Sequence, residues 1–315
     1  MGLFLGIDTS NYTTSTALYD SSNDTVTHSR KLLPVREGEL GLRQSDAVFA
    51  HVKQLPEVIN SLLGDKQYKF DGVGYSARPR DVEGSYMPCF LVGEMLAKVL
   101  ANQSSAPLYD FSHQAGHVAA ALYSANRLDL LRREFVAFHF SGGTTEGLLV
   151  RPHRERIMEL QQISGTLDLN AGQVVDRVGG MLGLAFPAGK ELEKLALTCE
   201  TDFPIRIKLK GMNCCLSGVE NQCRDMLAKG AKKNEVAKYC LDTICATVQA
   251  MSEAVMLESG DIPRVYAGGV TSNSLIRSRV SQWLGGVFAT PELSSDNAVG
   301  VALLAYLKAQ GSRLC

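Results

Sequence analysis

Leu3-Phe4-Leu5-Gly6-Ile7-Asp8, then Thr9-Ser10-Asn11-Tyr12-Thr13-Thr14, then Ser15-Thr16-Ala17-Leu18-Tyr19: an apolar run closing on an acid, a turn of hydroxyl and amide side chains, and a second run. This is the grammar of a strand, a polar turn and a strand. Backbone N–H groups and hydroxyls in such a turn can face an anion, and the same groups can equally serve to satisfy an ordinary hairpin. A third strand is expected over Thr25 to Leu33. The pattern then recurs, with Glu134 to Phe140, the turn Ser141-Gly142-Gly143-Thr144-Thr145, Glu146 to Val150, and a third strand near Ile157 to Gln162.

Each hairpin is followed by alternating helices and strands. From Gly41 to Leu63, Val48, Phe49, Val52, Leu55, Val58, Ile59 and Leu62 fall at a helical period, with Pro56 as a candidate kink. Asp71 to Ser76 reads as a buried strand. Glu83 to Asn102 reads as a helix with Met87, Phe90, Leu91, Met95, Leu96 and Val99 as its core face, followed by a strand at Pro107 to Tyr109 and a helix from His113 to Tyr123. The second half offers a helix over Asn170 to Met181, a polar, Cys-containing insertion from Pro187 to Lys232, and a long helix over Glu235 to Glu258. It continues with a strand at Arg264 to Ala267, a helix at Ser272 to Trp283, a strand at Gly286 to Ala289 and a last helix at Asp296 to Ala309. The expectation is an α/β protein made of two duplicated lobes, 1–133 and 134–295, the second carrying the insertion 187–232 and the first receiving the C-terminal helix 296–315.

With 45% hydrophobic and 21% charged residues in 315, the chain can bury two cores, and its composition is not that of a disordered protein. A net charge of −1 gives no global attraction to nucleic acid, so an RNA partner must be held by a local basic patch or by other subunits. Eight cysteines without CxxC spacing read as reduced thiols, several of them core-filling. The opening Met-Gly-Leu-Phe lacks a basic targeting region and no apolar run is read as membrane-spanning, so the expected location is the cytoplasm, with no membrane partner.

His113 and His117, two of six histidines, stand four residues apart. On a helix that spacing puts both imidazoles on one face, where they can share a divalent metal; a pair of surface or capping histidines has the same spacing. The Glu of HExxH is missing, which argues against a metallopeptidase. A third glycine turn, Ala267-Gly268-Gly269-Val270-Thr271-Ser272-Asn273, permits close backbone approach to an adenine or ribose, and Asn273 can hydrogen-bond it.

Two ribonuclease-H-like lobes with such turns resemble the actin, sugar kinase and Hsp70 superfamily. More closely, the chain resembles the TsaD family, the catalytic subunit of tRNA threonylcarbamoyladenosine synthesis. The resemblance runs through Leu5 to Ser10, His113 and His117, Ser141-Gly142-Gly143, Thr166 to Asp176, Phe186-Pro187-Ala188-Gly189, Leu216-Ser217-Gly218-Val219, Ala267 to Ser274 and Ser295-Asp296-Asn297-Ala298. It implies that His113, His117 and Asp296 ligate one divalent metal, iron or zinc. It implies an adenine nucleotide, ATP or threonylcarbamoyl-AMP, against Ser141, Gly142, Gly143, Thr144, Asp176, Gly189, Gly268, Gly269 and Asn273. The implied reaction moves a threonylcarbamoyl group from its adenylate to the N6 amine of adenosine beside the tRNA anticodon. Implied partners are tRNA, a TsaB-like paralogous subunit on the helices of the first lobe, a TsaE-like small ATPase and an upstream threonylcarbamoyl-AMP synthase. Arg78, Arg80, Arg132 and Arg133 could meet the RNA or be solvated charges.

The chain departs from the family in places. The family's acidic pair in the first turn is replaced by Tyr12 and Thr13, the His after Gly-Gly by Thr144, and the Glu of the Asp-x-x-x-Gly-Glu run by Gln173. Before the first long helix, Glu39 to Gln44 stand where the family has a Gly-Gly-Val-Val-Pro-Glu element with its own histidine. Thr13 and Ser141 are the catalytic candidates that remain in the two turns. Three readings are open: a divergent threonylcarbamoyltransferase, a related carbamoyl- or acyl-adenylate transferase with another acceptor, and a non-catalytic nucleotide-binding assembly subunit.

Overall fold

The computed structural model describes residues 2–10, 12–34, 42–290, 292–293 and 297–311. The opening stretch forms β1 (Leu3–Ser10) and β2 (Thr13–Asp20), antiparallel, with Asp8 opposite Ser15 and Ser10 opposite Thr13. β3 (Thr25–Leu32) pairs antiparallel with β2, while β4 (Gly72–Arg78) and β5 (Leu108–Ser112) run parallel to β1, giving the order β3-β2-β1-β4-β5. Parallel pairing requires crossover connections, supplied by α1 (Gln44–Leu63) and α2 (Phe90–Ser104); α3 (His113–Ser124) follows β5.

The second half repeats this plan. β6 (Phe135–Phe140), β7 (Thr145–His153) and β8 (Ile157–Gly165) form the meander, and α4 (Ala171–Met181), α5 (Gly189–Leu197), β9 (Leu209–Lys210), β10 (Asn213–Cys214), α6 (Ser217–Ala228) and α7 (Lys233–Ser259) follow. β11 (Arg264–Ala267), α8 (Ser274–Leu284) and β12 (Val287–Phe288) complete a sheet of order β12-β11-β6-β7-β8, and α9 (Ala298–Ala309) ends the described chain. Counted from the meander's outer strand, both sheets have the same order and the same directions. The first turns also correspond, because His139 lies opposite Glu146 as Asp8 lies opposite Ser15. The duplication is therefore carried by topology and register.

Two compact units result: Met1–Arg133 with Arg151–Leu160 and Asp296–Cys315, and Glu134–Val150 with Gln161–Ser295. The core of the first includes Leu5, Ile7, Leu55, Ile59, Val73 and Val92; that of the second includes Phe138, Phe140, Val174, Ile244, Val248 and Tyr266.

Several expectations need correction. α1 buries Ala47, His51, Leu55, Val58, Ile59 and Leu62, while Phe49 and Val52 are exposed. α2 starts at Phe90 rather than Glu83, because Pro88 disfavours helical geometry in the residue before it. It turns Val92, Gly93, Ala97 and Ala101 inward and leaves Leu91, Met95 and Val99, a stripe at i, i+4 and i+8, in solvent. The small residues win the inner face because α2 lies so close to β1 that a Cβ at Gly93 would sit 2.9 Å from Thr9 Oγ1. The insertion 187–232 contains α5 and α6, and its Leu192, Ala196, Cys214, Val219 and Cys223 belong to the core. Finally, α7 is long and apolar enough, by length and composition, to cross a membrane; most of it is buried inside the protein.

Candidate functional site

In the first unit, α9 is pressed against α3 through glycines. A Cβ on Gly300 would lie 1.8 Å from the carbonyl oxygen of Gly116, so only glycine permits this crossing. Gly116 sits between the two histidines, and the contact brings Asn297, at the head of α9, to them. The rings of His113 and His117 are 4.7 Å apart between centroids and inclined at 70°, on one face of α3. Neither histidine caps the helix; Ser112 does, accepting from Ala115 N at 3.2 Å.

Behind His113 stands Asp8, fully buried at the end of β1. Its Oδ2 is 2.9 Å from His113 Nδ1 and accepts a second hydrogen bond from Ser76 Oγ, while its Oδ1 accepts from Ser10 N at 3.0 Å. Burial alone would raise this carboxyl, but the charge and hydrogen bond of His113, with Ser76 and Ser10, hold it below the ordinary value of 3.8. An ionised carboxylate only accepts, so His113 Nδ1 donates to it, and in a neutral ring of that tautomer the lone pair is on Nε2. Asn297 Nδ2 lies 3.2 Å from that Nε2, and Asn297 Oδ1 is buried without a partner among the described residues. Asp296, the third expected metal ligand, lies outside the described residues. Among the described residues no three His, Cys, Asp or Glu side chains are grouped to hold a metal. The donor set nonetheless suits a borderline divalent ion, with two imidazoles side by side and a carboxylate orienting one of them.

Thr13, half-buried, opens β2 beside exposed Tyr12. Sequence reasoning missed His51, two turns into α1 and fully buried, whose Nδ1 is 2.8 Å from Thr14 Oγ1. Burial lowers its pKa from 6.5, opposed by the Ser10 backbone and the Asp8 charge. Its Nε2 lacks a well-formed hydrogen bond among the described residues. The usable signal was a histidine at an inward position of a strongly periodic helix.

In the second unit the predicted residues gather around the β6–β7 turn. Ser141 N donates to Thr144 O at 2.7 Å, Thr144 N to Ser141 Oγ at 3.1 Å, and Gly142 and Gly143 are exposed with open space above both Cα atoms. The start of α4 abuts this turn: Gly172 N donates to Ser141 O at 3.0 Å, Ala171 N to Thr145 Oγ1 at 2.8 Å, and Asn170 Nδ2 to Gly143 O at 3.0 Å. Gln173 Oε1 accepts from Asn170 N at 3.0 Å, half of a capping box. Gln serves there as well as Glu, so the loss of that acid is no loss of a cap. One turn on, Asp176 accepts from Ala188 N at 2.9 Å, next to Gly189 at the start of α5; burial raises its carboxyl, and that N–H opposes the rise. Gly268 has a φ of 98°, and a Cβ there would lie 2.2 Å from Phe140 O, at the root of the turn. Asn273 caps α8, its Oδ1 accepting from Leu275 N and Ile276 N at 3.1 and 3.2 Å, and Ser274 N donates to Glu193 of α5 at 2.8 Å. The cap leaves Nδ2 as the Asn273 group available to a ligand. The start of α4 thus abuts the glycine-rich turn, the start of α5 is tied to α4 through Asp176 and the start of α8 to α5 through Glu193; helix N-termini favour anions.

Residues 26–303 match the family described as TsaD, tRNA N6-adenosine threonylcarbamoyltransferase. The protein of that name from Legionella pneumophila strain Lens is 27% identical over 323 residues, covering 97% of this chain and 93% of its own length. A Thermus thermophilus protein of the same name is 28% identical over 320 residues, with 97% and 93% covered. Among solved structures, HypF of T. kodakarensis aligns with a TM-score of 0.63 at 14% identity over 99% of this chain and 48% of its own. Xylulose kinase of Rhodospirillum rubrum aligns with a TM-score of 0.55 at 11% identity over 99% and 91%. The likeness is one of fold: these proteins share the two-lobed α/β architecture described above. On the span of the family match, the chain belongs to the TsaD family of tRNA N6-adenosine threonylcarbamoyltransferases, which are acyltransferase enzymes.

Proposed function

We propose that this protein transfers a threonylcarbamoyl group from threonylcarbamoyl-AMP to the N6 amine of an adenosine in tRNA. The observation that carries the reading is the seating of the α4 N-terminus on the exposed Gly142–Gly143 turn, with Asp176 of the same helix tied to the start of α5, in a chain of this family. The amine's lone pair forms the new C–N bond to the carbamoyl carbon, the bond from that carbon to the phosphate oxygen breaks, and AMP leaves with the electron pair. The amine proton passes to solvent or to the departing phosphate.

The N–H groups of Gly142 and Gly143 and the Ser141 hydroxyl would hold the phosphate, and Thr144 closes that turn. Gly268 and Gly269 admit the adenosine part, Asn273 Nδ2 donates to it, and Asp176, beside Gly189, accepts from the ribose. Thr13 and Ser141 are the hydroxyls proposed to touch the reacting group. His113, His117 and Asp296 would hold a divalent iron or zinc ion, which when bound supplies Lewis-acid polarisation of a carbonyl or phosphoryl oxygen. Asp8 keeps His113 in the tautomer whose Nε2 can bind such an ion.

Partners enter the reading as follows. The exposed Leu91, Met95 and Val99 stripe on α2, with Phe49 and Val52 exposed on the neighbouring α1, suits a TsaB-like paralogous subunit. A TsaE-like ATPase and a threonylcarbamoyl-AMP synthase complete the proposed cytoplasmic system. One observation favours a second reading, a transferase with a different acceptor: the carboxylate nearest the first turn, Asp8, is buried and fully engaged, so the family's acidic pair has no obvious stand-in. Supplying unmodified tRNA, threonylcarbamoyl-AMP and the partner proteins, then digesting the RNA for nucleoside mass spectrometry, separates the two. Threonylcarbamoyladenosine supports the first reading; its absence, with the adenylate bound, supports the second.

A further inference from the structure

Between α5 and β10 runs Phe203-Pro204-Ile205-Arg206-Ile207-Lys208-Leu209-Lys210. Phe203, Ile205 and Leu209 turn toward the core of the second unit, and Phe203 packs edge-on against Tyr239 of α7 with centroids 5.8 Å apart. The far end is anchored where Leu209 pairs with fully buried Cys214. The alternate positions Arg206, Lys208 and Lys210 are exposed. None of these three side chains has an ion-pair or hydrogen-bond partner among the described residues. The acids of the same segment, Glu200 and Asp202, lie before Phe203, and Asp202 is 3.7 Å from Lys238.

Several other basic residues are instead held by acids. Arg78 is held by Asp81 and Asp110, Arg177 and Arg224 by Glu220, and Arg279 by Asp242. Those cations are already neutralised by neighbours. Arg206, Lys208 and Lys210 stand at alternate positions within five residues, without an intervening acid. A nearly neutral protein that binds a polyanion needs such a local, uncompensated row.

We propose that Arg206, Lys208 and Lys210 form a row that contacts consecutive backbone phosphates of the tRNA substrate. This rests on the reading that tRNA is the acceptor. Ile205 before the cations and Leu209 among them pack on the core and fix the segment at both ends, while Ile207 between Arg206 and Lys208 is itself exposed, so the segment need not first order as a whole. Phosphate contact positions the RNA and carries no base preference.

The test is the triple variant Arg206→Gln, Lys208→Gln, Lys210→Gln in the full chain, titrated with unmodified tRNA over a range of salt, with and without the partner proteins. Loss of three phosphate contacts should weaken binding at least tenfold and flatten the slope of log affinity against log salt by about 2 to 3. Binding of threonylcarbamoyl-AMP should be unchanged. Equal tRNA affinity and slope for variant and parent would overturn the row while leaving tRNA as the acceptor. Loss of partner-protein binding with tRNA affinity intact would overturn it in favour of an acidic protein surface. A parent protein that binds no tRNA under any of these conditions would overturn the acceptor reading itself, and the row with it.

Discussion

Asp8 shows how one side chain can be ordinary in sequence and decisive in structure. It ends an apolar strand, yet its carboxylate is where β1, β4 and α3 meet, through Ser10, Ser76 and His113. Replacing it by Asn keeps the size and removes the charge that fixes the His113 proton. Metal affinity measured by chelator competition should fall about 10- to 100-fold; unchanged affinity would remove Asp8 from the site. His51 makes a separate prediction. Its pKa is lowered by burial, so the unfolded chain binds the proton more readily than the folded one. The stability it contributes is present above the ordinary value of 6.5 and is lost as pH falls through the lower folded value. Urea midpoints should therefore drop on acidification from 6.5 down to the lower folded value, and the drop should be shallower in His51→Gln. Equal pH profiles would show that His51 stays neutral in both states or charged in both. The sequence exposed the pair His113 and His117, and the Ser-Gly-Gly turn, because those spacings are local. The partners of Asp8 and Thr14 come from elements tens of residues away, and no local pattern announces them. Asn273 was legible as a residue and incompletely as a role: an Asn before a periodic run is also a helix cap, which is how its Oδ1 is used.

At the scale of elements, periodicity located α1 and α2; it found the inward Leu55, Val58, Ile59 and Leu62 of α1 but misplaced Phe49 and Val52 there and Leu91, Met95 and Val99 on α2. A helical period defines a stripe, but closeness to the neighbouring strand decides whether large or small residues occupy it. On α2 that closeness selects Gly93, Ala97 and Ala101, leaving Leu91, Met95 and Val99 outside. Changing Leu91 and Met95 to Asp should alter unfolding free energy by no more than about 0.5 kcal/mol per site, while abolishing co-purification with a TsaB-like subunit. Retained association would move the docking face elsewhere; a large loss of stability would mean that the stripe is core. The crossing of α3 and α9 had a local sign in Gly116 and Gly300, but which helices those glycines join is a tertiary fact. The insertion 187–232 read as polar because its short helices present one apolar residue per turn.

For the whole molecule, recurrence of strand, polar turn and strand was enough to anticipate two related sheets, and the strand orders and turn registers agree in detail. The duplication survives in topology because backbone pairing tolerates side-chain change, so Asp8 and His139 occupy equivalent positions with different chemistry. The family match over residues 26–303 fixes the type of enzyme, and the first turn lies outside that span. The direct test of transfer is single-turnover movement of threonine-derived label from threonylcarbamoyl-AMP into unmodified tRNA by the metal-loaded protein with its partner subunits. The account predicts label in the RNA, recovered as threonylcarbamoyladenosine, and its loss in His113→Ala. Adenylate bound at the glycine turn with no label reaching tRNA would contradict it.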